Sequence, residues 1–421
     1  MKKLRQRLAM LLLAFTLIPQ AAWALKGSGT LSDPYLVEYG QDLNTISALY
    51  RDGKVDGQYL YIELVADVYC NYLTPIGTLA HPFCGYFDGR GHTINLITHE
   101  TVRSHTGLLF GYVTGSVLNE IKNFTINGTL ISSTDGLTNM GGLIGTLDVG
   151  RLFNITCNVD IDIQGVTQHH IGGIVGHAES HVTIAACTYN GVINAGKTTD
   201  CVGGIVGFVH AQSDASINHC CSNGSIYSTG SGPTLGGILG YNNNENNKFG
   251  GVTGCFSRMG LHYKGSNAHV GGIAGRLRAN AKTTVNNFCL TDSCGGKPTN
   301  TDGPSIPASN KTCTFDECQS GYVTYTLHTT NEPVYASAVI DPLTWVQKLG
   351  SDTYPRLLKI DFTKYVIEKD APYVYKAQDL KCDGTKYGDE YYSNSSTVTK
   401  HHEGVWVEAK EPTCTEAGNH R

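Results

Sequence analysis

The chain has 421 residues, with 31 Lys+Arg against 36 Asp+Glu, a formal net charge of −5 and only 16% charged residues. This composition argues against a nucleic-acid partner, which requires clustered basic residues. The chain also contains 50 glycines and 14 cysteines. The glycines direct attention to turns and close backbone packing, and the cysteines to thiol chemistry.

The amino terminus has the pattern of an export signal. Four basic residues precede an apolar run from Leu8 to Ile18, and Ala22-Trp23-Ala24 offers a small-x-small cleavage site. The run is too short to span a bilayer, and no later run is long and apolar enough to do so. We expect residues 1–24 to be a signal peptide cleaved near Ala24, and the mature chain to be secreted or at the cell surface.

Residues 25–103 are expected to form an amino-terminal cap followed by the first coils of a repeat array. Asp42 to Tyr50 predicts a short amphipathic helix, and Tyr59 to Val65 predicts a strand. A cap is needed because an open array of strands otherwise exposes an unpaired edge.

A glycine pentapeptide recurs through residues 104–290. Its copies begin at Gly107, Gly141, Gly172, Gly203, Gly236 and Gly271, at spacings of 34, 31, 31, 33 and 35 residues. Five copies open with a glycine pair: Gly141 and Gly142, Gly172 and Gly173, Gly203 and Gly204, Gly236 and Gly237, Gly271 and Gly272. A fixed period of this length indicates stacked structural repeats.

One copy shows what each repeat contains. Its apolar runs are Ile171–Val175, Val182–Cys187 and Gly191–Ile193, each too short for a helix and rich in β-branched residues. A propeller blade needs about 40 to 50 residues, and glycine at this density would cost a helical hairpin about 1 kcal/mol per glycine. We therefore predict an all-β fold, a right-handed parallel β-helix with capped ends and a small β-rich carboxyl-terminal extension.

Five cysteines follow the glycine pairs by 15 to 19 residues. They are Cys157, Cys187, Cys220, Cys255 and Cys289, and Phe124 takes the equivalent place in the first copy. We expect one internal ladder of small buried side chains, since free cysteine behaves as a small hydrophobic residue. An extracytoplasmic location also permits disulfides, for which the candidates are Cys70 with Cys84, Cys289 with Cys294, and Cys313 with Cys318.

The end of the chain changes in composition. Residues 291–362 are expected to form a loop-rich excursion that returns to strands and closes the array. Residues 363–421 are expected to form a small β-module or spacer, and the sequence could be truncated after Arg421.

The pentapeptides, each followed by an apolar-x-x-Cys segment, resemble the GLUG-motif repeats of bacterial surface proteins. Two flanking stretches fit the same family: residues 27–36 with residues 82–94, and Trp345 with Tyr354-Pro355-Arg356-Leu357. The resemblance covers roughly residues 27–360. It implies an extracytoplasmic parallel β-helix in adhesin-like or large surface proteins, and it carries over no catalytic residue.

No catalytic motif accompanies the repeats. His99-Glu100 and His402-Glu403 lack the second histidine of a zinc-peptidase motif. Asp160 and Asp162 alternate with apolar residues, so we expect them on the solvent face of a strand. They could act together, as in polysaccharide-degrading β-helices, but an exposed strand face is the preferred interpretation.

Two further rows flank the glycines. The first row lies two residues before each glycine pair and consists of Asn139, His170, Cys201, Thr234 and His269. The second row lies five residues after the first glycine of each pair and consists of Thr146, His177, Phe208, Tyr241 and Arg276. His170 and Cys201 could share a metal across neighbouring coils, and His401, His402 and Cys414 have the spacing of half a zinc site. A plain surface stripe is preferred to either. Phe208 and Tyr241 are our speculative contacts for sugar rings, although the row could equally be a loop edge.

We therefore predict a non-enzymatic protein acting in adhesion, binding or display, with no catalytic residue, metal or cofactor. Its partner would be a host or microbial glycan or an extracellular protein. The alternatives are a glycan-active β-helix enzyme and a structural stalk for a missing carboxyl-terminal domain.

Overall fold

The computed structural model describes residues 25–100, 104–164, 170–197, 201–244, 249–264, 268–278, 284–293, 297–301, 309–329, 345–348 and 351–357, with short strands at 360–361, 366–367, 374–376 and 391–393. The predicted signal peptide lies outside the described residues, as do Cys294, His401, His402 and Cys414. Within the described part of the chain, no helix is long and apolar enough to cross a membrane.

The glycine repeats stack as six parallel coils. Their first glycines pair in register from Gly107 through Gly141, Gly172, Gly203 and Gly236 to Gly271. The six strands of this sheet are Thr106–Gly107, Met140–Gly141, His170–Gly172, Cys201–Gly203, Thr234–Gly236 and His269–Gly271. The predicted parallel β-helix is confirmed, with one coil for each pentapeptide.

The rest of each coil contributes to a second, larger sheet that wraps the molecule. The strands that follow the glycines are Phe110–Val113, Ile144–Ile163, Val175–Ala185, Val206–Val209, Leu239–Asn242, Ala274–Leu277 and Thr299–Thr301. The later strands of the coils are Glu120–Ser132, Thr188–Tyr189, Val192–Asn194, Ser216–Asn218, Cys221–Ser222, Ser225–Ser228, Gly251–Thr253, Phe256–Ser257, Gly260–Tyr263, Phe288–Leu290 and Lys311–Cys313. Ile, Val, Leu and Cys side chains from these strands fill the interior.

The predicted strand Ile171–Val175 is wrong, because the chain turns sharply within it. His170–Gly172 belongs to one sheet and Val175–Ala185 to the other. At the turn, a Cβ on Gly173 would clash with the carbonyl oxygen of Gly204, the equivalent glycine of the next coil. The second glycines therefore stack on one another, and we call them the glycine corner: Gly142, Gly173, Gly204, Gly237 and Gly272.

The first and last glycines of the pentapeptide bring the two sheets together. A Cβ on Gly172 would lie 2.8 Å from the backbone nitrogen of Gly207, and one on Gly203 would lie 2.6 Å from that of Gly240. Real side-chain carbons do not approach backbone this closely, so glycine is required here for close contact between backbones.

The predicted cysteine ladder is divided between two rows. All five cysteines are fully buried, and none forms a disulfide in the described structure. However, Cys157 pairs in register with Tyr189, not Cys187, and Cys289 pairs with Ser257. Only Cys187, Cys220 and Cys255 follow one another, linked by hydrogen bonds such as Cys220 N to Cys255 Sγ at 3.3 Å. A β-bulge between Leu147 and Val149 and loops of different length in later coils shift the pairing, so equal distance along the sequence is not equal register.

A second corner in each coil uses the left-handed backbone region. The residues there are Asn123, Asn154, Ala186 and His219, with φ values of 62°, 51°, 51° and 50°. Asparagine tolerates this region better than other non-glycine residues. Ala186 has no such preference and is the poorest fit in the row.

The amino-terminal segment continues the same parallel stack. Its helix spans Gly40–Arg51 and its strands are Tyr35–Val37, Leu60–Leu64, Val68–Cys70, Gly85–Asp88, Thr93–Leu96 and His99–Glu100. The helix begins where the Asp42 carboxylate accepts hydrogen bonds from the backbone of Glu38 and Tyr39, both at 2.9 Å. The helix and strand expected here are both present, each within two residues of its expected bounds.

The carboxyl-terminal end is partly helical, which the sequence interpretation missed. Helices span Phe315–Gln319 and Tyr322–Thr329, within residues 291–362, where a loop-rich excursion and returning strands were expected. The indole nitrogen of Trp345 donates to the carbonyl oxygen of Gly254 at 3.0 Å, and Trp345–Val346 pairs antiparallel with Arg356–Leu357. Two further hairpins are Ile360–Asp361 with Val366–Ile367 and Val374–Lys376 with Tyr391–Ser393.

The candidate disulfides are free thiols in this structure. None of Cys70, Cys84, Cys313 and Cys318, all within the described residues, forms a disulfide. The Sγ atoms of Cys313 and Cys318 nevertheless lie 3.7 Å apart in a buried setting.

Candidate functional surfaces

Two rows of side chains stand beside the sheet contact made by the glycines. Residues of one row lie two positions before the first glycine of each pentapeptide, and residues of the other row lie five positions after it. The two rows are side by side, as shown by His170 and His177, whose ring centroids are 5.2 Å apart. We call these rows the histidine stripe. Its members are His105, Tyr112, Asn139, Thr146, His170, His177, Cys201, Phe208, Thr234, Tyr241, His269 and Arg276.

Phe208 and Tyr241, our speculative sugar contacts, lie inside this stripe. They are only 8% and 9% exposed. The His170 imidazole stacks on Phe208 at 3.9 Å and 7°, and the Arg276 guanidinium lies 5.0 Å from the centre of the Tyr241 ring. A sugar ring needs an open aromatic face, and these neighbours cover one face of each ring.

Hydrogen bonds around Asn139 fix the state of two histidines. The Asn139 oxygen lies 2.9 Å from His170 Nδ1, and its nitrogen lies 3.0 Å from His177 Nδ1. With the amide assigned in this orientation, His170 donates from Nδ1, and neutral His177 accepts at Nδ1 and carries its proton on Nε2. That Nε2 is buried without a hydrogen-bond partner in the described structure. His105 Nδ1, at 3.1 Å, and Thr146 Oγ1, at 3.2 Å, compete for the same two Asn139 amide hydrogens.

Burial keeps two imidazoles of the stripe, those of His177 and His105, uncharged. Burial, followed by the nearby imidazoles of His170, His210 and His105, lowers the pKa of His177 to about 3. Burial also lowers the pKa of His105, with Glu179 opposing it. Burial and a 2.8 Å hydrogen bond to the Glu179 carboxylate raise the pKa of Tyr112. Around His177 the stripe is thus a buried polar cluster whose imidazoles favour the neutral form.

The suggested metal pairing finds only partial geometric support. His170 and Cys201 do pair in register across neighbouring coils. Among the described residues, however, no group of three or more His, Cys, Asp or Glu side chains could hold a metal ion. The second suggested set, His401, His402 and Cys414, lies outside the described residues.

The two candidate carboxylates face outward and bind neighbouring coils. Asp160 Oδ1 accepts a hydrogen bond from the backbone nitrogen of Val192 at 2.8 Å. The Asp162 carboxylate accepts from the side-chain nitrogens of Asn194, at 2.7 Å, and Gln164, at 2.8 Å. Each carboxylate is therefore engaged in coil-to-coil or local hydrogen bonding.

The structure also reveals an outer surface that the sequence interpretation did not identify. Asparagine amides of five coils form a continuous ladder, in which each Nδ2 donates to the Oδ1 of the preceding coil at 2.7 Å. We call it the amide ladder; its members are Asn95, Asn127, Asn158, Asn190 and Asn223. At its end, Arg258 Nε donates to Asn223 Oδ1 at 2.6 Å.

A row of threonines runs parallel to the amide ladder. Thr93, Thr125, Thr156 and Thr188 pair in register, each two residues before an asparagine of the ladder. The residue between them points into the core, as Cys157 does, so both polar side chains point outward. We call the two rows together the Thr-x-Asn face.

The sequence did contain a signal for this face. Thr-x-Asn recurs at residues 93–95, 125–127, 156–158 and 188–190, followed by Cys-x-Asn at 221–223. The spacing of 31 to 33 residues matches the glycine period.

Comparisons with known proteins support the fold only. No family model matches the chain, and no curated protein matches it. A solved structure, titled a "putative immunoglobulin A1 protease" from Bacteroides ovatus, is similar with a TM-score of 0.56 and 18% identity. The match covers 79% of this chain and 94% of that one. At this identity it shows a shared architecture and transfers no activity.

Proposed function

We propose that this chain is a secreted or cell-surface, non-enzymatic β-helix protein that acts in adhesion, binding or display on a bacterial surface. The observation that carries the proposal is the Thr-x-Asn face, a long, regular outer surface that repeats the same polar groups over successive coils. The resemblance to GLUG-motif repeats agrees with it and stays a prediction. The partner would be a host or microbial glycan or an extracellular protein.

The engagement of the two candidate carboxylates supports a non-enzymatic role. Glycoside chemistry uses two carboxyl groups on either side of a bond that is to be broken. Asp160 and Asp162 instead accept hydrogen bonds from Val192, Asn194 and Gln164, which suits them to holding coils together.

A binding screen of the full chain tests the proposal. Arrays of glycans and of extracellular matrix proteins would be probed with the purified protein at two salt concentrations. We expect saturable binding that depends weakly on salt, since few exposed charges are available to be screened. Absence of binding to every member of both arrays would contradict the proposal.

A glycan-active enzyme is a second candidate function, and the observation that favours it is the histidine stripe. Within the described residues, His177 Nε2 is buried without a hydrogen-bond partner, and Glu179, two residues further along the same strand, accepts a hydrogen bond from Tyr112. Perturbed pKa values are common at active sites. Turnover of any polysaccharide by the wild-type chain, lost in His177→Gln, would favour this function over adhesion.

A further inference from the structure

The free hydrogen-bonding capacity of the Thr-x-Asn face suggests what it binds. Each amide nitrogen carries two hydrogens, and the ladder uses one of them in each of Asn127, Asn158, Asn190 and Asn223. Each coil therefore presents an outward N–H about 4.8 Å from the next. Beside it lies a threonine hydroxyl, which can donate and accept.

The two rows are rigid before any ligand arrives. Hydrogen bonds to neighbours on both sides hold the central amides, such as Asn158, in one orientation. Threonine is restricted about χ1 by its branched Cβ. A ligand that binds here therefore loses little affinity to ordering the protein side chains.

The ends and flanks of the face limit the ligand class. Tyr69, in register with Asn95 at the amino-terminal end, is 74% exposed, and nearby Ile97 is 65% exposed. Exposed tyrosine suits the apolar face of a sugar ring. Asp160 and Asp162 follow the ladder on the same strand, so their negative charge disfavours a polyanion lying along the rows.

We propose that the Thr-x-Asn face binds one extended, uncharged polysaccharide chain that lies parallel to the solenoid axis, with Tyr69 stacking on a sugar at one end. The proposal rests on the proposed binding function and names its ligand class. Such a chain offers alternating donors and acceptors along its length, as the rows require. Four intervals of the amide ladder span about 19 Å, long enough for a short oligosaccharide.

The test uses retention of the full chain by insoluble or gel-embedded polysaccharides. The panel contains neutral β-linked glucan, xylan and chitin, with polygalacturonate as the anionic member. The variant is Thr125→Val, Thr156→Val and Thr188→Val combined, which keeps the β-branched shape and removes three hydroxyls. The matched control is Thr183→Val with Ser216→Ala, two outward residues on the neighbouring strand face.

We expect the wild type and the control to be retained by at least one neutral polysaccharide, and the triple variant to bind about tenfold more weakly or worse. Tyr69→Ala should weaken binding separately. Retention by polygalacturonate alone, abolished by salt, would overturn the proposal, as would equal retention of the triple variant or no retention by any neutral member. Binding to a matrix protein that the triple variant preserves would leave the broader binding function standing while rejecting this ligand class.

Discussion

The glycine corner and the Thr-x-Asn face repeat with the same period but for different physical reasons. A Cβ at Gly173 would clash with the next coil, so no other residue fits there. Thr156 and Asn158 point outward, where many strand-forming residues would suit the fold. Regular repetition in a solenoid thus has two origins, close packing and surface chemistry, and only the contacts of each row distinguish them.

The strongest way to test this distinction is to add a methyl group at the corner. Gly173→Ala is expected to lower the free energy of unfolding by about 3 kcal/mol or more, because backbone on two coils must move. Gly57→Ala is the control, since a Cβ there meets nothing within 4 Å. This substitution is destabilising only because alanine disfavours the left-handed backbone conformation of Gly57. Urea unfolding would measure both, and equal losses would show that the corner is not specified by packing.

Acid should act on the histidine stripe and leave the Thr-x-Asn face unaffected. The folded pKa of His177 is about 3, below its ordinary value of 6.5. Folding therefore favours the neutral imidazole. Its contribution to the free energy of unfolding is fully present above pH 6.5 and is lost as the pH falls toward 3. We expect a loss of about 2 to 3 kcal/mol between pH 7 and pH 4.5.

The pH effect is measured as the difference between wild type and His177→Gln, which lacks this titration. His170, His210 and His105 also face His177, Glu179 faces His105, and all four remain in both proteins. His262→Gln, on the exposed outer surface, should retain the wild-type acid loss. An identical loss in wild type and His177→Gln would contradict the assignment.

The buried cysteines should behave like the glycine corner, as packing elements. Cys220→Ala is expected to lower the free energy of unfolding by about 1 to 2 kcal/mol through lost packing. Cys84 is only half-buried, so Cys84→Ala should lower it less. Burial raises the pKa of Cys157, Cys187 and Cys220, so these thiols should label slowly in the native state. Rapid native-state labelling would contradict an inward orientation.

The smallest expected effect is a gain in stability from a substitution at the left-handed corner. Ala186→Asn should stabilise the fold by about 0.5 to 1 kcal/mol, because asparagine accepts positive φ more readily than alanine. Ala211→Asn, on a turn where φ is not positive, should bring no gain. A thermal unfolding midpoint that is equal or lower in Ala186→Asn would show that the corner does not discriminate between residues.

The coils were predictable from sequence because glycine spacing follows directly from backbone contact. Register within the coils was not, since a bulge near Leu147 and Val149 shifts the pairing so that Cys157 lies beside Tyr189 and not beside Cys187. Helix Tyr322–Thr329 was missed because its β-branched and aromatic residues favour strands. It is helical because Val323 and Leu327, four residues apart on one side of the helix, are buried in the same apolar cluster as Trp345 and Phe288.

Part of the missed helical end did have a local signal. Thr314 and Glu317 form a capping box, in which the Glu317 backbone nitrogen donates to Thr314 Oγ1 at 3.2 Å. The Thr-x-Asn face was likewise readable as a repeated tripeptide. By contrast, the burial of Phe208 and Tyr241 depends on the approach of two sheets and could not be inferred from their spacing.

The most direct measurement is to determine stability and polysaccharide retention on the same preparation of the Thr125→Val, Thr156→Val, Thr188→Val protein. If the face repeats for surface chemistry, its urea unfolding midpoint should match that of the wild type, while its retention by neutral polysaccharide falls about tenfold or more. A large fall in the unfolding midpoint with unchanged retention would show that these threonines repeat for packing, as the glycines do, and would contradict the account.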